Sequence, residues 1–589
     1  MQSSGRIRNA NFKAAYALIL PIFLLRQMRA ASLMRPGSEV RNCRRRLSFV
    51  TCPKALLRVT VLVAQLNDVR AQPKGYCVIR SDALTSWNAA CGLGARADMG
   101  LGRIAIVSAF ALSVPCWPAL VNGQPFFTLD TIAYLHAAAH GVNRLLGIET
   151  VWYAPPVAAA GDVRQALPGT QPEAHATGSV VLMARSVFYG LFLLASHVLS
   201  GLWIAVLAQS AIAVATIFLT LRSFSENVVT YSITSLLVLA ASTPMAFFVS
   251  LLMPDILAPV AILACAHIVV RFDRLERWEF LFWFCAICYS MLVHFSHLLT
   301  VAGLAILAAL HGVRSINKAR WFACGTLATA MVIALLGERA FFHAVEKMTG
   351  APPIRPPFLM ARIIEDGPGY RYLQATCPHN GLAVCAFRDR FPSSADTFLW
   401  ATDSNRGVFS TADPQTRRAL SAEQLRFAWN VFMYDPVGQA SASLVNWMRQ
   451  LTSFAVLTDF SYGRNIRQAF AASLPEPYLT RLQATPAAQE TLPLQAGYYG
   501  FLFTASASGL ILVAFFFAYR GTSVMAVSGF WEFAGLVLVG VVLNAAVCGM
   551  LSGAEDRYQA RVVWLVPLLA LIAASTVRRQ SFETASSAN

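Results

Sequence analysis

The chain has 589 residues, 56% of them hydrophobic and only 13% charged, with a mean hydropathy of +0.53. Soluble domains carry nearer a quarter charged residues, so this composition excludes an ordinary soluble protein and indicates a polytopic membrane protein. The net charge of +17 invites a nucleic-acid reading, but residues 1–98 hold 16 Lys+Arg and 4 Asp+Glu (+12), and the remainder hold 31 and 26 (+5). The later basic residues sit mainly in short connections, where positive-inside topology explains them. No nucleic-acid partner is expected.

In chain order, residues 1–98 hold one apolar run, "AAYALILPIFLL" (14–25). It is short for a membrane span and contains Pro21. "RNCRRRLSFV" follows, and no clear A-x-A cleavage site does. Met99 and Arg103 directly precede the first good span. The front segment therefore reads as a basic N-terminal extension. Either it is a disordered cytoplasmic arm, or it is spurious and translation starts near Met99.

Ten apolar runs follow, at 104–121, 202–221, 231–249, 255–270, 279–293, 298–312, 322–337, 500–519, 527–548 and 561–577. Helix is the state in which backbone groups pair within a segment in lipid. The expected fold is an all-α membrane protein with about ten transmembrane helices and two large extracytoplasmic loops. Seven spans occupy 99–337, three occupy 500–579, and 580–589 form a tail. Arg103, Arg222, "RFDRLER" (271–277), "RSINKAR" (314–320), Arg520, Arg578 and Arg579 fall on one side by this count. That side is expected to face the cytoplasm. A multi-pass protein of the inner membrane with both termini cytoplasmic follows.

The first outer loop runs from 122 to 201 and the second from 338 to 499, long enough for a small domain or a set of helices on the membrane. "APPIRPPF" (351–358) predicts an extended stretch. "SAEQLRFAWNVFMYDP" predicts a helix opened by Ser421 and Gln424 at capping-box spacing and closed before Pro436. Of twelve cysteines, Cys377 and Cys385 in "CPHNGLAVC" stand alone in the second loop and predict a disulfide. Cys285 and Cys288 form a C-x-x-C inside an apolar helix, where cysteine usually serves as a small apolar residue.

Charges near a bilayer are costly, so polar residues gathered at one face need a reason. Asp130 lies beyond the first span in "PFFTLDTIAYL", with Tyr134 one turn later. It reads equally as a helix cap or as a catalytic carboxylate. Arg185 opens "ARSVFYG", and Asp255 sits in "SLLMPDILAP" at a tight turn, where starting a helix would also explain it. His294 and His297 flank another turn. They could bind a metal, but two ligands do not make a site. Arg557 and Arg561 share a helical face in "GAEDRYQARVVWLVP". They could pair with Glu555 and Asp556, meet lipid headgroups, or hold an anionic substrate with their planar forks.

This arrangement resembles the GT-C superfamily of membrane glycosyltransferases. "PFFTLDTIAYL" is similar to the aspartate-plus-tyrosine segment of such first loops. "DRYQARVVWLVPLLAL" is similar to their last span. The chain departs from better-known members in that Asp130 stands alone, the next acid being Glu149. The resemblance implies a sugar donor on a polyprenyl phosphate and transfer to an acceptor on the outer side of the membrane. Asp130 would be the general base, and Arg185, Arg557 or Arg561 would stabilise the departing phosphate. Asp255, His294 and His297 would orient the acceptor or hold a divalent cation. The second class is non-enzymatic: a lipid-linked saccharide transporter or an envelope assembly factor.

Overall fold

The computed structural model describes residues 101–153, 181–315, 318–519 and 529–587. The expectations for residues 1–98 lie outside them. The chain divides after Asp98, and all that follows concerns the unit Met99–Asn589.

This unit is an all-α, multi-pass membrane protein. Its helices are α1 (Leu101–Ser113), α2 (Trp117–Asn122), α3 (Leu129–Leu146), α4 (Val187–Ser200), α5 (Trp203–Arg222), α6 (Val228–Ser242), α7 (Met245–Ser250), α8 (Leu257–Arg271) and α9 (Arg277–Val293). They continue with α10 (Phe295–Ser315), α11 (Lys318–Thr349), α12 (Phe358–Glu365), α13 (Pro368–Thr376), α14 (Ala395–Trp400), α15 (Pro414–Tyr434) and α16 (Pro436–Thr452). The last are α17 (Leu457–Phe460), α18 (Arg464–Ser473), α19 (Glu476–Gln483), α20 (Leu494–Tyr519), α21 (Phe530–Leu551), α22 (Asp556–Val563) and α23 (Leu565–Ser587).

Among the described residues, seven helical segments are long and apolar enough to cross a membrane. They coincide with seven of the ten expected spans. The other three expected spans are also helical but differ in length. The run 231–249 breaks into α6 and α7 because Pro244 follows Thr243. A residue before proline is pushed to the extended region, and Thr243 sits at φ −138°, ψ 165°. α9 has 17 residues, about 25 Å at 1.5 Å per residue. α10 is apolar only over Phe295–Leu310. In the other direction, α11 continues to Thr349, twelve residues past the expected end at 337, because "GERAFFHAVEKMT" is polar but rich in helix formers.

α8 is buried nearly all round and packs against α9, α10 and α21, so it is the central post of the bundle. Its two ends differ in chemistry. Asp255 precedes its start, and Arg271 closes it. α9 runs back from Arg277 to Val293, with His294 at its end. Near Arg277, Arg222 pairs with Glu276 and, at 3.2 Å, with Glu279. The acids and imidazoles of interest thus gather at the opposite end of these helices from Arg222, Arg271 and Arg277.

The segment after α11 builds its own apolar core from Met360, Leu373, Phe398, Phe409, Leu420 and Phe427. Ile354 of the proline-rich stretch is extended and bridges Leu182 in parallel. The helix expected near Ser421 starts earlier: Asp413 caps α15 by accepting from Gln415 N and Thr416 N, with Pro414 in the first turn. Ser421 is therefore mid-helix, and its spacing to Gln424 is not a cap. Cys377 and Cys385 form a disulfide, with Cα atoms 5.5 Å apart. Both are expected to resist alkylation until reductant is added, read by peptide mass spectrometry. Replacing both with Ser should cost this segment roughly 2–3 kcal/mol, as expected for so short a closed loop.

Candidate active site

The site is assembled from segments distant in sequence. α2 ends at Gly123, whose φ of +75° lets the chain turn sharply. Phe126 then pairs with the extended residues after α7: its N–H donates to Ser250 O at 3.0 Å, and its carbonyl accepts from Leu252 N at 3.0 Å. Thr128 caps α3 by accepting from Thr131 N, and Thr131 Oγ1 accepts in return from Thr128 N. The cap is therefore Thr128. Asp130 lies in the first turn, where the helix dipole favours its charge.

Asp130 pairs with Arg185, and Arg557 Nη2 lies 3.4 Å from its other carboxylate oxygen. Arg557 also approaches Asp459 at 3.7 Å and Asp255 at 3.8 Å. One guanidinium thus stands among three carboxylates from three separate parts of the chain. Behind it, Arg561 is fully buried and meets Asp255, itself 1% exposed, at 3.1 Å. Arg561 Nη2 also donates to Ser296 Oγ (3.1 Å) and Asn544 Oδ1 (3.0 Å). This guanidinium ties α22 to α8, α10 and α21.

A cavity of about 210 Å³ opens in front of Arg557, lined by Phe127, Thr128, Leu129, Asp130, Asp459, Tyr462, Ile466 and Arg557. Of the residues singled out in the sequence, Asp130 and Arg557 line it. Arg185 braces Asp130, while Asp255 and Arg561 form the buried pair behind. His294 and His297 stack with ring centroids 4.9 Å apart. They join the network through Ser296, which contacts His294 Nδ1 at 2.8 Å, while His297 Nδ1 contacts Ser290 O at 2.9 Å. Tyr134 packs in the core against Tyr189 at 5.1 Å. Among the described residues, no group of three or more His, Cys, Asp or Glu is placed to hold a metal ion.

Two lining residues, Asp459 and Tyr462, are not among those the sequence singles out. Tyr462 Oη accepts from Phe127 N at 2.9 Å, which fixes the second long segment against the first. The available signal was a repeat of the one at Asp130: in "AVLTDFSYG" a lone carboxylate again sits among apolar residues with an aromatic hydroxyl soon after.

The carboxylates differ electrostatically. Burial pushes Asp130 up, but Arg185 and Arg557 outweigh it and hold the group below the usual carboxylate range. Burial also pushes Asp459 up; Arg557 opposes this, Asp255 and Asp130 reinforce it, and the group stays above the usual range. His294 is held well below the usual imidazole range, by burial first and then by Arg561, Arg185 and Arg557.

The seating of α3 on α4 sets the Asp130–Arg185 pairing. A Cβ on Gly190 would lie 2.3 Å from Tyr134 O. Gly190→Ala is therefore expected to force the two helices apart and destabilise the protein by about 1–3 kcal/mol, read as a lower melting temperature in detergent.

No known family's sequence model matches the chain, and no curated protein matches it. Two crystal structures are similar to it: ArnT from Cupriavidus metallidurans in the apo state, and the same protein bound to undecaprenyl phosphate. Identity is 12% to the first and 14% to the second. The alignments cover 81% and 82% of this chain and 78% and 79% of ArnT, each at a TM-score of 0.29. A superposition that loose carries no functional conclusion.

Proposed function

We propose that this protein is a membrane glycosyltransferase that moves a sugar from a polyprenyl-phosphate donor to an acceptor hydroxyl. The observation that carries the reading is the cavity in which one arginine fork stands between two carboxylates held in different protonation ranges. Such a divergence marks an acid–base site, and the guanidinium marks where an anion sits.

In the proposed reaction the acceptor oxygen attacks the anomeric carbon. The bond from that carbon to the phosphate oxygen breaks, and its electron pair leaves with the phosphate. Arg557 stabilises the charge that grows there. Asp459 takes the acceptor proton, since its proton affinity is the higher of the two. Asp130, held ionised, offsets positive charge developing on the sugar ring and keeps Arg557 and Arg185 oriented. The resemblance to GT-C enzymes implies the base role for Asp130, but two arginines against one carboxylate lower its basicity. Phe127, Leu129 and Ile466 give the cavity apolar walls suited to the donor's lipid end. Arg561 serves as a buried tie, not as a phosphate ligand. The bundle end opposite the site, with Arg222, Arg271 and Arg277, is assigned to the cytoplasm, so transfer occurs on the outer side of the inner membrane.

The pH dependence of kcat/KM separates the two carboxylates. A base with a raised pKa is lost as pH falls through that raised value. The acid limb of the profile is therefore expected above the ordinary aspartate value of about 3.9. Asp459→Asn should remove the limb and lower the rate by about 10²–10⁴-fold. A limb below the ordinary value, surviving in Asp459→Asn, would return the base role to Asp130.

A further inference from the structure

We infer that the elbow joining α15 to α16 is a membrane-dipping element whose outer face rests among lipid acyl chains. Leu425, Trp429 and Met433 recur every fourth residue on α15 and are 72%, 63% and 62% exposed. Val437, just past the elbow, is 80% exposed, and Leu444 and Met448 continue the pattern on α16 at 52% and 55%. The opposite side of α15 is satisfied, because Leu420, Phe427 and Val431 fill the core of this segment. An amphipathic pair of helices with large apolar side chains outward is the arrangement of an element lying in a membrane interface.

The packing of α16 shows which medium covers it. α16 lies along α21, one of the helices long and apolar enough to span. The approach is close: a Cβ on Gly549 would lie 2.7 Å from Asn446 O. Trp447 Nε1 donates to Val542 O at 3.3 Å. Val542 lies about two and a half turns inside the α21 end at Leu551, roughly 13 Å along the axis at 1.5 Å per residue. The α16 indole therefore reaches the level of the spanning helix itself. α21 exposes Leu538, Val539 and Val542 on its own surface. The apolar face of α16 adjoins a helix whose exposed residues face acyl chains, so lipid is its occupant and a soluble partner is not. Trp429 and Trp447 suit the interfacial layer, where indoles concentrate.

The element also reaches the site. Gln450, near the end of α16, donates to Glu555 O at 2.7 Å and accepts from Glu555 N at 2.9 Å. Glu555 directly precedes α22, which carries Arg557. Seating in lipid thus holds the segment that delivers the site's arginine. The inference requires the bilayer but not the transfer chemistry, so the two stand or fall separately.

The test is photo-cross-linking in the full-length protein reconstituted in phosphatidylethanolamine–phosphatidylglycerol vesicles. p-Benzoylphenylalanine replaces Val437 in one variant, Leu444 in a second, and exposed Gln415, at the far end of α15, in a third. Irradiation is expected to add the mass of one phospholipid at Val437 and at Leu444, and none at Gln415. No lipid adduct at either elbow position, equal adducts at Gln415, or cross-links to a second polypeptide would overturn the inference.

Discussion

Arg557→Gln is expected to lower the rate of sugar transfer by about 10²–10³-fold, the usual effect of removing one preorganised charge from a developing anion. Glutamine retains part of the length and donor capacity of arginine but loses the charge and the fork. The loss should fall on kcat more than on KM, because the phosphate gains charge as the bond to the sugar breaks. Arg557→Lys should retain part of the rate: it keeps the charge but cannot span Asp130, Asp255 and Asp459 together, as the guanidinium does at 3.4, 3.8 and 3.7 Å. Transfer from a synthetic polyprenyl-phosphate sugar in proteoliposomes measures both. A rate unchanged in Arg557→Gln would remove this residue from the chemistry.

Arg561→Met should act differently, on stability. Its guanidinium is fully buried and faces Asp255, which is 1% exposed. Removing it leaves Asp255 in a dry interior with only the more distant Arg557, at 3.8 Å, which costs about 3 kcal/mol. The fraction recovered folded from the membrane should fall sharply, and the melting temperature with it. Asp255→Leu combined with Arg561→Met should recover most of the loss, because no charge is then left alone. If the single change were tolerated as well as the pair, Arg561 would not be the tie between α22, α8, α10 and α21.

Charge cost made part of this site legible in the sequence. Asp130 and Asp255 are lone carboxylates at the ends of apolar runs, Arg557 and Arg561 enter the last span, and each has a partner in the structure because an unpaired charge there would be penalised. Asp459 carried the same signal, but it lies inside the long segment 338–499 and not beside a span, so span ends alone did not reveal it. Its pairing with Arg557 depends on how that segment folds back, which Tyr462 fixes by a bond to Phe127 N, 335 residues away. Local patterning holds no record of that contact.

Helix boundaries show a similar division. Hydropathy located the long spans well, since lipid demands apolar length. It cut α11 short because helix propensity continues where hydropathy stops. It ran α6 and α7 together because Pro244 is one apolar residue among many to a hydropathy count, yet it removes a donor and bends the chain. At α15 the capping spacing of Ser421 and Gln424 is misleading because a stronger start, Asp413 followed by Pro414, lies about two turns upstream.

In the proposed reaction a lipid phosphate meets Arg557 in the cavity between Asp130 and Asp459. A photoactivatable polyprenyl phosphate added to the reconstituted protein tests this directly, with labelled peptides identified by mass spectrometry. Labelling within 126–130, 459–466 or 555–561, competed by unlabelled polyprenyl phosphate and lost in Arg557→Gln, is the predicted result. Labelling confined to other segments, or unchanged by the substitution, would contradict it.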